Sequence, residues 1–360
     1  SKASSGDVDI LVGSSESSDG GRIHLKAGSS DSFSGRGGSI AIASGSGDFT
    51  SSGGLFLFTS NAGSWGESGD LALNSGSATR GNSGKISIVS GMSKEAKAGN
   101  LLLQVGKSQK GNGGDISINS GEASGQNFKG GDISIAAGEG SHTSKRGGGR
   151  GGEINIVGGA AQGGLHLFEI SDDGGDVHIN GGFALAGNGG SLSFKSGFSE
   201  MGNSGHLALS TQRAGVKGNS GGISVFTGTT NQGDTGNIEL RTSKASEGSA
   251  GHIKLKVGSG NIGNGSNVTI TAGASTGKEG TLWRPNDTTG GHLNLKSGRS
   301  IATSSGNLQF SSPDAGKEGS SGSFLLDTGT SSTGPSGMFK VDTGEALDGA
   351  GGNIELFIGS

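Results

Sequence analysis

One short motif recurs along the whole chain: a glycine, any residue, a bulky apolar residue (Φ), any residue and a second Φ. The first Φ occurs 23 times, and 13 of the 22 intervals between successive occurrences are 15 residues long. The motif returns almost unchanged as GNSGKISIVSG from 81, GNSGHLALS from 202 and GNSGGISVFTG from 218. A constant period of this kind is typical of repeat architectures, in which each unit is one supersecondary element.

The composition alone would favour disorder, because 80 of the 360 residues are Gly and only 29 % are hydrophobic. The period argues against that interpretation, since a disordered segment has no reason to keep a constant spacing. Other classes are excluded more directly. The net charge of −4 offers no polybasic surface for nucleic acid. The absence of Cys excludes disulfides and thiolate metal sites, and no apolar run approaches the ~20 residues of a membrane span.

Each motif alternates apolar and variable residues with period two, which is the pattern of a strand with one face buried. Small residues also recur at positions −3, +4 and +7 relative to the first Φ, which suggests that this half of the unit points inward too. We therefore predict an all-β protein, a single parallel β-solenoid over residues 1–360 with about 15 residues per coil and about 23 coils. Its narrow core would be Ile/Leu/Val pairs facing Ala, Ser and Gly, represented by Ile86, Ile88, Leu101, Leu103, Ile116, Ile118, Ala78 and Ala123.

Two irregular insertions interrupt the period, at about 141–151 and about 276–290. Insertions in repeat proteins map to surface loops, often on a binding face. The second one contains Trp283 and Arg284, which are candidates for an interaction surface; the alternative is a tolerated loop with Trp283 folded back. Phe56 and Phe58 occupy outward positions of one strand and are a second candidate contact with a neighbouring chain.

The sequence offers no catalytic constellation and no cofactor motif. The His residues are spread along the chain, and one cluster alone brings possible metal ligands close in sequence: His166, His178, Asp172 and Asp173. Carboxylates and imidazoles in one place are ligands for a divalent cation. A solvated polar edge explains the same residues better, so we predict no metal site and treat these four as weak candidates.

With its GNSG-x-Φ-x-Φ-x-S-G consensus, the chain resembles Gly/Ser-rich 15-residue tandem-repeat proteins of the secreted or surface structural type, such as biosilica-associated filament proteins. The resemblance covers the whole chain. It implies an extracellular location and a structural role, with silica or polysaccharide as a partner that outward Ser, Lys and His would hydrogen-bond.

The sequence thus favours a non-enzymatic protein that assembles into an extracellular filament or matrix, with its own copies as main partner and with no nucleic-acid partner and no membrane span. Because the motifs run from Gly6 to Ile358, we expect either a piece of a longer repeat protein or end-to-end stacking of copies. The alternative is an adhesin-like carbohydrate-binding or ice-binding solenoid module. Ice binding would need a ladder of outward Thr, and the outward positions run Ala72, Ser87, Leu102 instead.

Overall fold

The structure is a computed structural model, and it describes residues 5–144, 147–162, 173–216, 218–275 and 289–359. The chain divides into two units, Ser1–Gly181 and Gly182–Ser360. The described residues contain no helix, and their only strands are β1 (Thr143–Ser144) and β2 (Gly147–Gly148) in the first unit. These strands pair antiparallel, with Thr143 opposite Gly148 and Ser144 opposite Gly147.

The predicted all-β parallel solenoid is therefore wrong. The single hairpin lies inside the first insertion, and none of the described repeats forms a strand or a ladder with the next repeat. The physical reason lies in the composition of the unit. Full burial of two apolar side chains stabilises by roughly 3–6 kcal/mol, which is less than the cost of ordering a glycine-rich backbone of this length.

The described repeats nevertheless share one local backbone design. Each begins with a segment free of turns that contains the Φ pair, and in most of them the chain then bends at about positions +8 to +10. After Ile86 the bend is at 94–96, after Leu192 at 200–202 and after Ile253 at 261–263. The 15-residue period in the sequence is thus the period of a chain reversal.

A hydrogen bond between two glycines closes the loop that contains this bend. The N–H of the glycine at position −2 donates to the carbonyl of the glycine at position +5 of the preceding repeat, as Gly53 does to Gly45 at 3.0 Å and Gly205 to Gly197 at 2.9 Å. Eight such bonds occur within the described ranges, with glycine pairs 28/38, 45/53, 121/131, 138/152, 182/190, 197/205, 273/291 and 298/306. A ninth, from Gly175 to Gly159, joins the same two positions of repeats that are not consecutive, because the motif at Leu165 lies between them in the sequence. The closing bond joins consecutive repeats at a single point, where a ladder would join them at every second residue.

In several repeats the preceding repeat approaches the glycine at position −2 closely. A Cβ added to Gly114 would lie 3.0 Å from Cγ1 of Val105, and a Cβ added to Gly84 would lie 3.3 Å from the Cβ of Ser75. Val105 and Ser75 both occupy position +4 of the repeat before. Any larger residue at Gly84 or Gly114 would push these two segments apart.

Serine at position +7 stabilises the bend in several repeats. The Ser93 Oγ accepts a hydrogen bond from the N–H of Ala96 at 3.1 Å, and Ser199 accepts one from Gly202 at 2.9 Å. The same bond, from the backbone three residues on, recurs at Ser15, Ser300 and Ser331. Short hydroxyl side chains favour such turns because they replace a backbone acceptor.

The described residues enclose no core. None of their side chains is buried, and the accessible surface of the chain is 38040 Å². A compact protein of 35.0 kDa would expose about 13,000 Å², and a fully unfolded chain about 51,000 Å². The least exposed positions are +4 and +7, where half-exposed residues occur at Ala27, Thr227 and Ala272 and at Ala184, Ser199, Ala214 and Ser300.

Candidate functional site

The Φ-containing segments present two different faces. Along one of them the exposed fraction alternates from residue to residue: 55 % for Leu55, 80 % for Phe56, 61 % for Leu57 and 81 % for Phe58. Successive side chains of an extended segment point to opposite sides. We call positions 0 and +2 of a repeat its apolar row, and positions −1, +1 and +3 its outer face.

The apolar rows are the residues expected to form the core, and in the structure they are shielded only in part. Ile86, Ile88, Leu101, Leu103, Ile116 and Ile118 are between 52 and 72 % exposed, and the small residues Ala78 and Ala123 are exposed as well. In the second unit the rows of two consecutive repeats do meet. The rings of Phe310 and Phe324 are stacked with centroids 6.3 Å apart, a separation at which aromatic pairs attract each other.

The aromatic residues singled out as interaction candidates lie on the opposite side from the apolar row. Phe56 and Phe58 both belong to the outer face of their repeat and are among its most exposed residues. Trp283 and Arg284 lie outside the described residues, together with most of the insertion at about 276–290.

The closing glycine bond also spans each irregular segment. Gly152 donates to Gly138 at 2.9 Å across the first insertion, and Gly291 donates to Gly273 at 2.9 Å across the second. Gly175 donates to Gly159 at 2.8 Å and so spans the motif at Leu165, which lies outside the described residues. Insertions of different lengths are tolerated because the entropic cost of closing a loop grows only slowly with its length.

The candidate metal ligands are not brought together where the structure describes them. His178 and Asp176 are neighbours on one outer face, with the His178 Nε2 3.8 Å from a carboxylate oxygen of Asp176, and both side chains are largely exposed. Within the described ranges no three His, Asp or Glu side chains are placed to hold a metal ion. Asp173 is described and belongs to no such group, whereas His166 and Asp172 lie outside the described residues.

Charged residues of the outer faces form pairs within one repeat. The Nε of Arg241 lies 3.2 Å from a carboxylate oxygen of Glu239, and Lys340 pairs with Asp342 in the same manner, two residues apart. Lys129 and Asp132 pair at 2.7 Å just before an apolar row. All these pairs are exposed, so each contributes little to stability; they show which cations are already partnered by an anion.

The sequence reasoning treated the glycines as turn formers and missed the bond between positions −2 and +5. The signal was present in the sequence, because position −2 is Gly in every repeat except the one of Val268, where it is Ser266. Such regularity exceeds what a turn requires. At Gly131 and Gly291 it coincides with a close approach to the backbone of the preceding repeat, which a Cβ would crowd.

Comparison with known proteins identifies no relative: no family model matches this chain, and neither a curated protein nor a solved structure is similar to it. No helix in the described part of the chain is long and apolar enough to cross a membrane.

Proposed function

We propose that this protein is a non-enzymatic structural protein of the extracellular space, whose copies associate through their apolar rows into a filament or matrix. The observation that carries this proposal is the exposure of every apolar row in the described residues, without a single buried side chain. Exposed apolar surface of this extent is typical of an interaction surface. Burial against another molecule is what removes it from water.

A second copy of the same chain suits these rows better than an unrelated partner. The rows recur at intervals of mostly 15 residues, and an identical chain repeats them at the same intervals. One favourable contact is therefore repeated at many points along both chains. Contacts that are weak individually then add up, as they do in linear repeat arrays.

The backbone supports association as well. Beyond the strand pairing of the hairpin, the backbone hydrogen bonds of the described residues are the glycine closures, one short turn bond from Gly35 to Ser32, and a bond from Gly149 to His142 next to the hairpin. The N–H and C=O groups of the Φ-containing segments are therefore left for solvent or for a partner. Unpaired segments of this kind readily pair with another chain.

The outer faces carry many hydroxyl, amide and cationic groups, such as Ser87, Asn119 and Lys195. These groups suit hydrogen bonding to the silanols of silica or the hydroxyls of a polysaccharide, so we include such a matrix as the surroundings of the assembly. The apolar rows would hold copies together while the outer faces contact the matrix.

Sedimentation velocity over a range of protein concentrations, followed by electron microscopy of negatively stained samples, tests the proposal. We expect the sedimentation coefficient to rise with concentration and extended assemblies to appear. Sulfate should strengthen the association, because it favours apolar burial. A protein that sediments as a monomer at every concentration, with and without sulfate, contradicts the proposal.

A further inference from the structure

The outer faces of four consecutive repeats in the second unit, those beginning at Ile238, Ile253, Val268 and Leu293, differ in charge from the rest of the chain. Between residues 238 and 299 the sequence has eight Lys or Arg and four Asp or Glu, although the whole chain has a net charge of −4. The described basic residues on these outer faces are Arg241, His252, Lys254, Lys256, His292 and Lys296. We call these six residues the basic face.

The repeat of Ile253 is the centre of the basic face. Its three outer positions are all basic: His252, Lys254 and Lys256 are alternate residues of one segment and all are exposed. Alternate residues of an extended segment lie on one side, about 7 Å apart. The two lysine cations, with the imidazole of His252 beside them, thus form a row that matches a partner with regularly spaced negative charges.

The neighbouring repeats do not supply the balancing anions. Glu239 is the one carboxylate on the four outer faces, and it already lies 3.2 Å from Arg241. The next outer face consists of Asn267, Thr269 and Thr271, which are neutral. Lys254, Lys256 and Lys296 therefore give the basic face a net positive charge, and its long-range field attracts anionic molecules.

We infer that the basic face binds a linear acidic polysaccharide, with carboxylate or sulfate groups on the cations and sugar hydroxyls on Asn267, Thr269 and Thr271. The chemistry of the face favours a polysaccharide over single-stranded nucleic acid. Nucleic-acid grooves combine positive charge with aromatic residues on which bases stack, and these four outer faces contain no Phe, Tyr or Trp. This inference extends the proposed function and does not depend on it, since binding and self-association are measured separately.

Biolayer interferometry on sparsely immobilised protein tests the inference, because isolated copies bind ligand whether or not they associate in solution. The probes are polygalacturonate for carboxylate, dextran sulfate for sulfate, uncharged dextran and an oligothymidylate. We expect one or both acidic polysaccharides to bind and uncharged dextran to give no signal. The polysaccharide that binds more tightly identifies the preferred anionic group. Raised salt should weaken the binding, because it screens the attraction between the lysines and the anionic groups.

Two double variants with the same change in charge locate the site. Lys254→Ser with Lys256→Ser should weaken binding about tenfold, the effect of losing two exposed ion pairs. Lys107→Ser with Lys110→Ser, outside the basic face, should leave binding unchanged, and Lys254→Arg with Lys256→Arg should retain it.

Three results would overturn the inference. They are an absence of binding to both acidic polysaccharides, an equal loss in the two serine variants, and tighter binding of the oligothymidylate. A further measurement passes soluble protein over the immobilised protein and records whether one copy captures another. If the Lys254/Lys256 serine variant abolishes capture of the protein while no polysaccharide binds, the face serves association between copies and the polysaccharide inference fails.

Discussion

The N–H of Gly131 donates a hydrogen bond to the carbonyl of Gly121 at 2.8 Å, and this bond closes a loop between two consecutive repeats. The two glycines differ in their surroundings. A Cβ on Gly131 would lie 3.2 Å both from the Cβ of Ser120 and from the backbone N of Gly121, whereas a Cβ on Gly121 would meet no atom within 4 Å. One partner of the bond therefore needs glycine for space, and the other does not.

Gly131→Ala should open this loop. The added Cβ pushes the two segments apart, and the loss of one exposed backbone hydrogen bond costs about 1 kcal/mol. We expect the amide of residue 131 to exchange with solvent about fivefold faster, relative to its intrinsic rate, in a hydrogen-exchange measurement by NMR. Gly121→Ala is the matched control and should leave that amide unchanged; equal acceleration in both variants would show that space at Gly131 is unimportant.

Ser93→Ala should loosen the bend at 94–96 without abolishing it. The substitution removes the Oγ that accepts the N–H of Ala96 at 3.1 Å, and turn bonds of this kind contribute less than about 1 kcal/mol. The bend should persist, because Ala78 and Ala123 occupy the equivalent position in other repeats. Exchange of the Ala96 amide should rise a few-fold, while Ser87→Ala on the outer face should not affect it.

Gly263→Ala should disturb the bend at 261–263 through backbone strain alone. Gly263 has φ of 81°, and no atom lies near the place of its Cβ. A left-handed conformation costs an L-residue roughly 1–2 kcal/mol. We expect changes in the backbone chemical shifts of 261–263 for this variant and not for Gly265→Ala, which lies at an ordinary φ; unchanged shifts in both would contradict the strain argument.

Substitutions of two neighbouring leucines test whether copies associate through the apolar row or through the outer face. Leu326 belongs to the row and is 64 % exposed, whereas Leu325 belongs to the outer face and is 78 % exposed. Leu326→Ser should weaken association at least about tenfold, because burial of one leucine contributes roughly 1.5–3 kcal/mol. Leu325→Ser makes the same chemical change and should alter association less than twofold.

The relevant measurement for both leucine variants is sedimentation velocity over a series of concentrations. If Leu325→Ser weakens association as much as Leu326→Ser does, the apolar row is not the contact surface. If neither variant changes association, the contacts lie in other repeats.

The repeat itself could be predicted from the sequence, whereas the bends at positions +8 to +10 were not. The small residues at +4 and +7 that suggested an inward half are the least exposed positions among the described residues, as Ala27 and Ala214 show. The roles of Gly131 and Ser93 could not be predicted. They depend on distances between segments that the pattern of residues does not contain.

The sequence by itself determined the period, the alternation of two faces and the charge of the basic face, because these follow from the order of residues along an extended backbone. Only the tertiary structure decided how consecutive repeats meet. Several of the described junctions are closed by one backbone hydrogen bond, such as Gly205 to Gly197. The described repeats form no strand ladder with one another, and pairs such as Ile86 and Ile88 stay exposed. The physical reason is that the alternation of apolar and variable residues determines which side chains share a face. Burial of that face depends instead on whether another surface covers it.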